Sequence, residues 1–210
     1  MQHYKLFYWS IISSKKGHVC GSYQSSFTGS SCHSRRHTKA PKKLFKVSFI
    51  DGFTPKLGNI LAPIVLRFPP FFIRWPAEND TLYTVVMTDP DMPSRHQPFL
   101  REWNHWLVGN MVGPDLSTGD TIAEYLPPEP QQDSGYHRIT FLVFKQPEHI
   151  NFTEPHLEYE RNDTRRTHFS TRKFAEKYKL GNPVAINFCL TAFNRSSIDG
   201  IDDLCESHSA

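Results

Sequence analysis

The chain has 210 residues, 38% of them hydrophobic and 13% aromatic, which is enough for a folded core and excludes a disordered or collagen-like protein. The net charge of +3 is unevenly divided, because residues 1–50 hold nine Lys/Arg and no acid, whereas residues 51–210 hold 15 Lys/Arg and 21 Asp/Glu. The body of the chain therefore lacks the basic surface that follows a nucleic-acid backbone, and we expect no nucleic acid as a partner.

Residues 1–40 form a basic, Ser-rich leader, which we interpret as a disordered tail. The same composition resembles a mitochondrial transit segment, so mitochondria are the alternative to the cytoplasmic location that we expect. Secretion is less favoured, because the apolar run over residues 6–12 is short and interrupted. No apolar run approaches the roughly 20 residues that cross a bilayer, which predicts no transmembrane segment. The four cysteines show no CxxC spacing and are expected to be reduced.

From Pro41 onward the pattern becomes that of a folded domain, which we place over residues 41–195, with a divergent tail over 196–210. Runs rich in β-branched and aromatic residues predict strands over residues 44–49, 71–75, 81–88, 103–110, 137–145 and 184–193. A helix is predicted over residues 171–179, where Ser170 can cap the first turn and Phe174 and Tyr178 share one face. The sequence thus predicts a β-dominated domain with this helix packed on the outside of a sheet.

Residues 88–95 contain two acids interleaved with two prolines, directly after an apolar strand. Such a turn is stiff and holds its side chains in fixed directions. Asp89 is placed to orient a histidine or to accept a hydrogen bond from a ligand, and Arg95 is close enough to pair with Asp91. A purely structural turn is an equally good interpretation of this segment alone.

Two histidines lie at loop–strand junctions: His105 in the strand over residues 103–110, and His137 at the start of the strand over residues 137–145. Strand periodicity places Trp103, His105 and Leu107 on one face. Together with Asp89, the two histidines suggest a metal centre, an acid/base pair or an anion pocket. The sequence shows neither metal ligands close together in the chain nor a motif for an activated nucleophile. The anion pocket therefore fits best. Either histidine alone can equally be a structural residue.

The segment over residues 89–95, the strand that opens with Glu102 and Trp103, and the run over residues 135–146 resemble the phosphatidylethanolamine-binding proteins in order and spacing. The resemblance covers about residues 40–193. It implies a mainly β fold, with a central antiparallel sheet, a second smaller sheet and a few short flanking helices. It also implies a non-enzymatic protein, without cofactor or metal, that binds a phospholipid head group or another phosphate-bearing small molecule. A protein kinase or a protease is the implied protein partner.

Carried over position by position, the resemblance implies a ligand pocket formed by seven residues: Asp89, Asp91, Pro93, Trp103, His105, Pro130 and His137. In this pocket His105 and His137 are expected to donate hydrogen bonds to the anion. Asp89 is expected to orient the histidines, and Trp103 and the prolines to shape the walls.

The chain departs from the family pattern at Leu100 and Ile139, where tyrosines are usual. Residues 127–130 replace a glycine-rich loop and bring in Glu129, whose carboxylate is expected to repel phosphate. We therefore expect weakened anion binding. Residues 125–128 and 144–146 also resemble a related domain in a mitochondrial ribosomal protein. The alternative function is therefore a structural or protein-interaction scaffold with a vestigial pocket.

Overall fold

A computed structural model describes residue 41 and residues 43–193. The predicted leader over residues 1–40 and the predicted tail over residues 196–210 lie outside the described residues, as do Cys20, Cys32 and Cys205. Cys189 is a buried free thiol. The proposed division of the chain into leader, domain and tail stays a prediction.

The described residues form two β-sheets, one α-helix and several 3-10 turns. The strands are β1 Lys43–Leu44, β2 Lys46–Ser48, β3 Phe72–Arg74, β4 Leu82–Asp89, β5 Trp103–Val112, β6 Asp120–Ala123, β7 His137–Lys145 and β8 Ala185–Thr191; the helix α1 is Thr171–Lys177. The 3-10 turns are Ile50–Gly52, Pro63–Leu66, Leu116–Thr118 and Thr164–Arg166. The larger sheet has the order β1-β8-β7-β4-β5-β6 and is antiparallel except for the β1–β8 pair, while β2 and β3 form a small antiparallel sheet. The predicted mainly β fold with a second, smaller sheet is confirmed.

Each predicted strand is present, and the helix begins where the sequence indicated. The Ser170 hydroxyl accepts a hydrogen bond from the Lys173 backbone N–H at 3.3 Å, and the rings of Phe174 and Tyr178 lie 5.0 Å apart. Strand β6 was not predicted, because its four residues show little of the alternation that marks a longer strand.

The small sheet covers one face of the larger sheet and forms the main core with it. The rings of Trp75 and Tyr83 lie 5.1 Å apart near the start of β4, and those of Phe49 and Phe141 lie 6.0 Å apart further along. Strand β2 therefore runs toward the end of the larger sheet where β4 finishes and β7 begins. We call this the Asp89 end of the sheet.

The helix packs against the other face through a layer of aromatic rings. Phe152 stacks on Phe174 with ring centroids 5.8 Å apart, and it contacts β5 at Gly109. A Cβ atom at Gly109 would lie 2.2 Å from the Phe152 ring, so this position requires glycine. The helix therefore lies outside the sheet, as predicted.

Asn187 of β8 ties the residue before β2 and the loop between β2 and β3 to the larger sheet. Its side-chain amide donates to the carbonyls of Phe45 at 2.8 Å and Pro55 at 2.9 Å, and its oxygen accepts from the Leu57 N–H at 3.0 Å. Asn187 is only 1% exposed, so water cannot replace these bonds.

We expect Asn187→Ala to lower the free energy of unfolding by about 2–3 kcal/mol, because buried backbone groups lose their partners. Urea denaturation measures the change, and Asn79→Ala, on an exposed residue, is the matched control with a change within about 0.5 kcal/mol. Equal unfolding midpoints for the two variants would contradict this anchoring role.

Candidate functional site

A buried ion pair joins the turn after β4 to the start of β7. Asp91 is 0% exposed and accepts hydrogen bonds from Arg138 through the backbone N–H at 3.0 Å, Nε at 2.7 Å and Nη2 at 2.5 Å. The prediction that Asp91 pairs with Arg95 is wrong. Arg95 is exposed, whereas a buried carboxylate requires a partner that satisfies both its oxygens, as Arg138 does.

Next to this pair, Asp89 holds His137 in a fixed orientation. His137 Nδ1 lies 2.6 Å from Asp89 Oδ2, while Asp89 Oδ1 accepts from the Asp91 N–H at 2.7 Å. On the other side of the ring, His137 Nε2 lies 3.0 Å from the Ser134 hydroxyl. Burial raises the pKa of Asp89, and the hydrogen bond with His137 offsets part of that rise. The resulting Asp89–His137–Ser134 chain leads from the core toward the loop before β7.

His105 occupies a β-bulge. In the β4–β5 pairing, Met87 lies opposite Trp106 and Thr88 opposite Asn104, so His105 is the extra residue. Its Nδ1 lies 2.8 Å from the Leu126 carbonyl oxygen and therefore carries the ring proton. Burial lowers the pKa of His105 to about 3, so the ring is neutral at physiological pH.

The neutral ring of His105 leaves Nε2 as a hydrogen-bond acceptor. Nε2 is buried and has no hydrogen-bond partner among the described residues. The donor role predicted for His105 does not fit this tautomer and charge, because a neutral imidazole with a proton on Nδ1 can only accept at Nε2.

The bulge also changes which residues of β5 share a face. Trp103 lies opposite Asp89, whereas Leu107 lies opposite Val86, three residues away along β4. These positions face opposite sides of the sheet, so the prediction that Trp103, His105 and Leu107 share one face is wrong.

The remaining predicted pocket residues lie around this core. Trp103 is half-buried opposite Asp89, Pro93 is half-buried in the turn after β4, and Pro130 is buried in the loop before β7. Hydrogen bonds join Asp89, Asp91 and His137, and strand pairing adds Trp103. Pro93 and Pro130 restrict the backbone path of the loops that contain them.

A cleft of about 340 Å³ lies among residues that neighbour Ser134 and His137 in the chain or across the sheet, although neither of these two is in its lining. It is lined by Gln132, Asp133 and Gly135, which flank Ser134, and by Ala192 and Phe193, which follow β8. Thr191, the last residue of β8, pairs with His137. The open end of the Asp89–His137–Ser134 chain thus lies next to a space of small-molecule size.

A wider groove of about 1270 Å³ lies at the opposite end of the larger sheet, between the small sheet and the end of β5. Its lining includes Trp75, Glu78 and Val112. It lacks the Asp–His chemistry found at the Asp89 end, so its size does not make it the better candidate site.

The family departures have visible consequences. Ile139 is fully buried in the main core. Glu129 pairs with Arg161 at 2.9 Å, so its carboxylate is partly neutralised and its expected repulsion of phosphate is reduced.

Sequence reasoning missed three supporting residues: Arg138, Ser134 and Arg166. Arg166 is 0% exposed and donates to the Asn104 carbonyl at 3.0 Å, beside the bulge. Ser134 and Arg138 flank His137 closely in the chain, and that proximity was the available signal. Nothing local in the sequence marks Arg166.

Glu102, which precedes β5, is a buried carboxyl. It accepts hydrogen bonds from the Thr171 hydroxyl at 2.5 Å and the Thr171 N–H at 3.4 Å, and so links β5 to the first turn of α1. Burial raises the pKa of Glu102 to about 7 despite these hydrogen bonds.

Together these features define a β-sheet protein with a buried Asp–His site at one end of its central sheet. In the part of the chain that the structure describes, no three His, Cys, Asp or Glu side chains are grouped to hold a metal ion. Within the same residues, no helix has the length and apolar character needed to span a membrane.

Comparisons with known proteins agree with this class. The family described as phosphatidylethanolamine-binding protein matches residues 54–189. A Drosophila melanogaster protein provisionally named odorant-binding protein A5 is 37% identical over 147 residues, which cover 70% of this chain and 69% of that protein. The chain belongs to the phosphatidylethanolamine-binding protein family.

Two solved structures show the same fold. The phosphatidylethanolamine-binding protein from Plasmodium vivax has a TM-score of 0.62 and 26% identity, covering 73% of this chain and 87% of that chain. A carboxypeptidase Y inhibitor, solved in complex with its cognate proteinase, has a TM-score of 0.63 and 24% identity, covering 73% and 85%.

We expect Asp91→Asn to lower the free energy of unfolding by about 3–5 kcal/mol, because the buried Arg138 cation loses its counter-charge. Urea denaturation measures the change. Asp133→Asn, on an exposed loop residue, is the control with a change within about 0.5 kcal/mol. A loss below about 1 kcal/mol in Asp91→Asn would show that this pair does not hold the two segments together.

The raised pKa of Glu102 predicts that the stability of the fold depends on pH. Its pKa is about 7 when folded against an ordinary 4.5, so between these values the folded state keeps a proton that the unfolded state releases. The free energy of unfolding of the wild type, relative to that of Glu102→Gln, should fall by about 3 kcal/mol as pH rises from about 4.5 to 7. Above that range the difference should stay constant. Urea unfolding of both proteins from about pH 4.5 to 8 measures this difference. A difference independent of pH would exclude the raised pKa.

Proposed function

We propose that this protein binds a phosphate-bearing small molecule, such as a phospholipid head group, at the Asp89 end of its sheet, and that it does so without catalysis. The observation that carries the proposal is the unsatisfied Nε2 atom of His105, which is buried and has no partner among the described residues. A buried polar atom without a partner is costly, so its retention favours a ligand that completes it.

The two histidines define what such a ligand brings. Nδ1 is occupied in both, by the Leu126 carbonyl for His105 and by Asp89 for His137, which leaves the Nε2 atoms for other partners. His137 Nε2 already has Ser134 at 3.0 Å, a contact that a ligand can replace. Because neutral His105 accepts at Nε2, the ligand has to supply a proton donor.

Phosphate monoesters meet this requirement near neutral pH, because their second pKa is near 6 and a fraction keeps a proton. The phosphodiester of a phospholipid head group has no such proton, so for that ligand the ethanolamine ammonium group has to be the donor. Binding of a phosphate monoester through its own proton is linked to proton uptake. An anion of similar shape without a transferable proton is disfavoured.

The names of the relatives point to more than one kind of ligand or partner and do not select one of them. One carries the name of an odorant-binding protein, and another is an inhibitor complexed with a proteinase. Regulation of a kinase or inhibition of a protease is compatible with a binding protein of this family. A cytoplasmic location remains part of this proposal.

A scaffold with a vestigial pocket is the second candidate. The burial of the site supports it, since Asp89, Asp91 and His137 are each at most 2% exposed. Asp91 is also fully engaged by Arg138. The two candidates differ in whether His105 and His137 respond to a ligand.

Titration with O-phosphoethanolamine, followed by the NMR signals of the His105 and His137 rings, separates them. We expect dissociation constants of millimolar order, because a small fragment contributes only a few kcal/mol. For inorganic phosphate, which has no ammonium group, affinity should rise by up to about tenfold per unit as pH falls from about 8 to 6, and sulfate should bind more weakly than phosphate at every pH.

The matched variants are His105→Leu and His137→Gln at the site and His149→Gln on the surface, where the His149 side chain is 64% exposed. The first two should weaken binding by at least about fivefold, equivalent to the loss of one hydrogen bond. His149→Gln should bind as the wild type does. Unshifted His105 and His137 signals at about 10 mM ligand would favour the scaffold.

A further inference from the structure

A second buried polar atom without a hydrogen-bond partner lies next to the candidate site. Thr191, the last residue of β8, is 0% exposed, and its hydroxyl oxygen Oγ1 has no partner in the part of the chain that the structure describes. A buried hydroxyl of this kind destabilises the fold, and such groups are rare in native proteins. The position of Thr191 in the sheet indicates what completes it.

Strand pairing places Thr191 beside His137. The two residues are direct partners in the β7–β8 register, so their side chains lie on the same face of the sheet with Cβ atoms about 4.5–5.5 Å apart. The next partners on that face, Ile139 and Cys189, belong to the main core. Thr191 and His137 are therefore the last pair of this ladder at the Asp89 end of the sheet.

Thr191 is also close to the cleft. Ala192 and Phe193 follow it directly in the chain and form part of the cleft lining. Ser134, whose two neighbours in the chain line the same cleft, lies 3.0 Å from His137 Nε2. A ligand that takes the place of Ser134 at His137 is therefore brought next to the Thr191 hydroxyl.

The Thr191 hydroxyl offers a ligand what neutral His105 does not. His105 only accepts at Nε2, whereas a hydroxyl donates one hydrogen bond and rotates to suit its partner. Phosphate oxygens are strong acceptors, and hydrogen bonds to a charged oxygen are stronger than those between neutral groups. Ile139, the diagonal neighbour of Thr191 on the same face, has no hydroxyl, so Thr191 is placed to supply that donor.

We propose that Thr191 determines the specificity of this site, because its hydroxyl donates a hydrogen bond to a phosphate oxygen while His105 Nε2 accepts a proton from the same ligand. This role rests on the proposed function and narrows its ligand class to molecules that present an acceptor oxygen together with a proton donor. The threonine hydroxyl does not change its charge near neutral pH. The pH dependence expected of phosphate binding therefore does not come from Thr191.

The variant Thr191→Val tests this role, because valine has nearly the same shape as threonine and lacks the hydroxyl. In the NMR titration, Thr191→Val should bind O-phosphoethanolamine at least about fivefold more weakly than the wild type, equivalent to the loss of one hydrogen bond. Its urea midpoint should rise, since a buried hydroxyl without a partner is removed. Thr191→Ser keeps the hydroxyl and should bind within about twofold of the wild type.

Thr84→Val is the matched control. Thr84 is also 0% exposed and lies in a strand of the same sheet, but its hydroxyl donates to Gln146 Oε1 at 2.8 Å. Removal of this satisfied hydroxyl should lower the urea midpoint and leave the affinity for O-phosphoethanolamine unchanged. The control and Thr191→Val therefore differ in both measurements, and the midpoints move in opposite directions.

Inorganic phosphate separates the role of Thr191 from that of His105. Between about pH 8 and 6, Thr191→Val should bind phosphate more weakly than the wild type by a constant factor, because the lost donor is neutral. His105→Leu should instead lose the rise in affinity toward low pH, because the acceptor for the ligand proton is gone. A pH profile that is flattened in Thr191→Val contradicts the assignment of a neutral donor.

The proposal is overturned if Thr191→Val binds O-phosphoethanolamine as tightly as the wild type, and the ligand site itself then stands without it. A urea midpoint that falls in Thr191→Val, as in Thr84→Val, shows that the hydroxyl supports the fold and also overturns the proposal. Unshifted His105 and His137 signals in the wild type refute the ligand site, and with it this role of Thr191.

Discussion

The Asp91–Arg138 ion pair joins the turn after β4 to the start of β7 with neither side chain more than 6% exposed. Three hydrogen bonds from one arginine satisfy this buried carboxylate, and the Asp91 backbone N–H then orients Asp89. Asp89 in turn fixes His137. The geometry of the whole site therefore depends on an almost fully buried charge pair that only a complete set of partners can stabilise.

The bulge at His105 is the second constraint, and it determines the chemistry of the site. With Nδ1 held by the Leu126 carbonyl and the ring buried, His105 is neutral and accepts at Nε2. With His105 neutral, the site favours ligands that carry their own proton over anions that lack one. The fully buried Ile139, at a position where the family usually has tyrosine, strengthens that dependence because it offers no hydroxyl donor.

Much of the fold could be predicted from the sequence, because strand alternation and the cap at Ser170 are local signals. The contact of Asp89 with a histidine also followed from the stiff turn after a strand. The partner of Asp91 did not, since the pairing of β4 with β7, and not sequence distance, brings Arg138 to it. The bulge, the pairing of Glu129 with Arg161 and the buried Arg166 likewise arise from contacts between distant segments, for which one sequence carries no signal.

The central claim, that His105 and His137 bind a phosphate-bearing ligand, is tested most directly by a crystal structure of the protein with O-phosphoethanolamine. The account predicts the ligand beside Ser134, with its phosphate or ammonium group about 3 Å from His105 Nε2 and from His137 Nε2. A ligand bound only in the groove beside Trp75, or absent at saturating concentration, would contradict it.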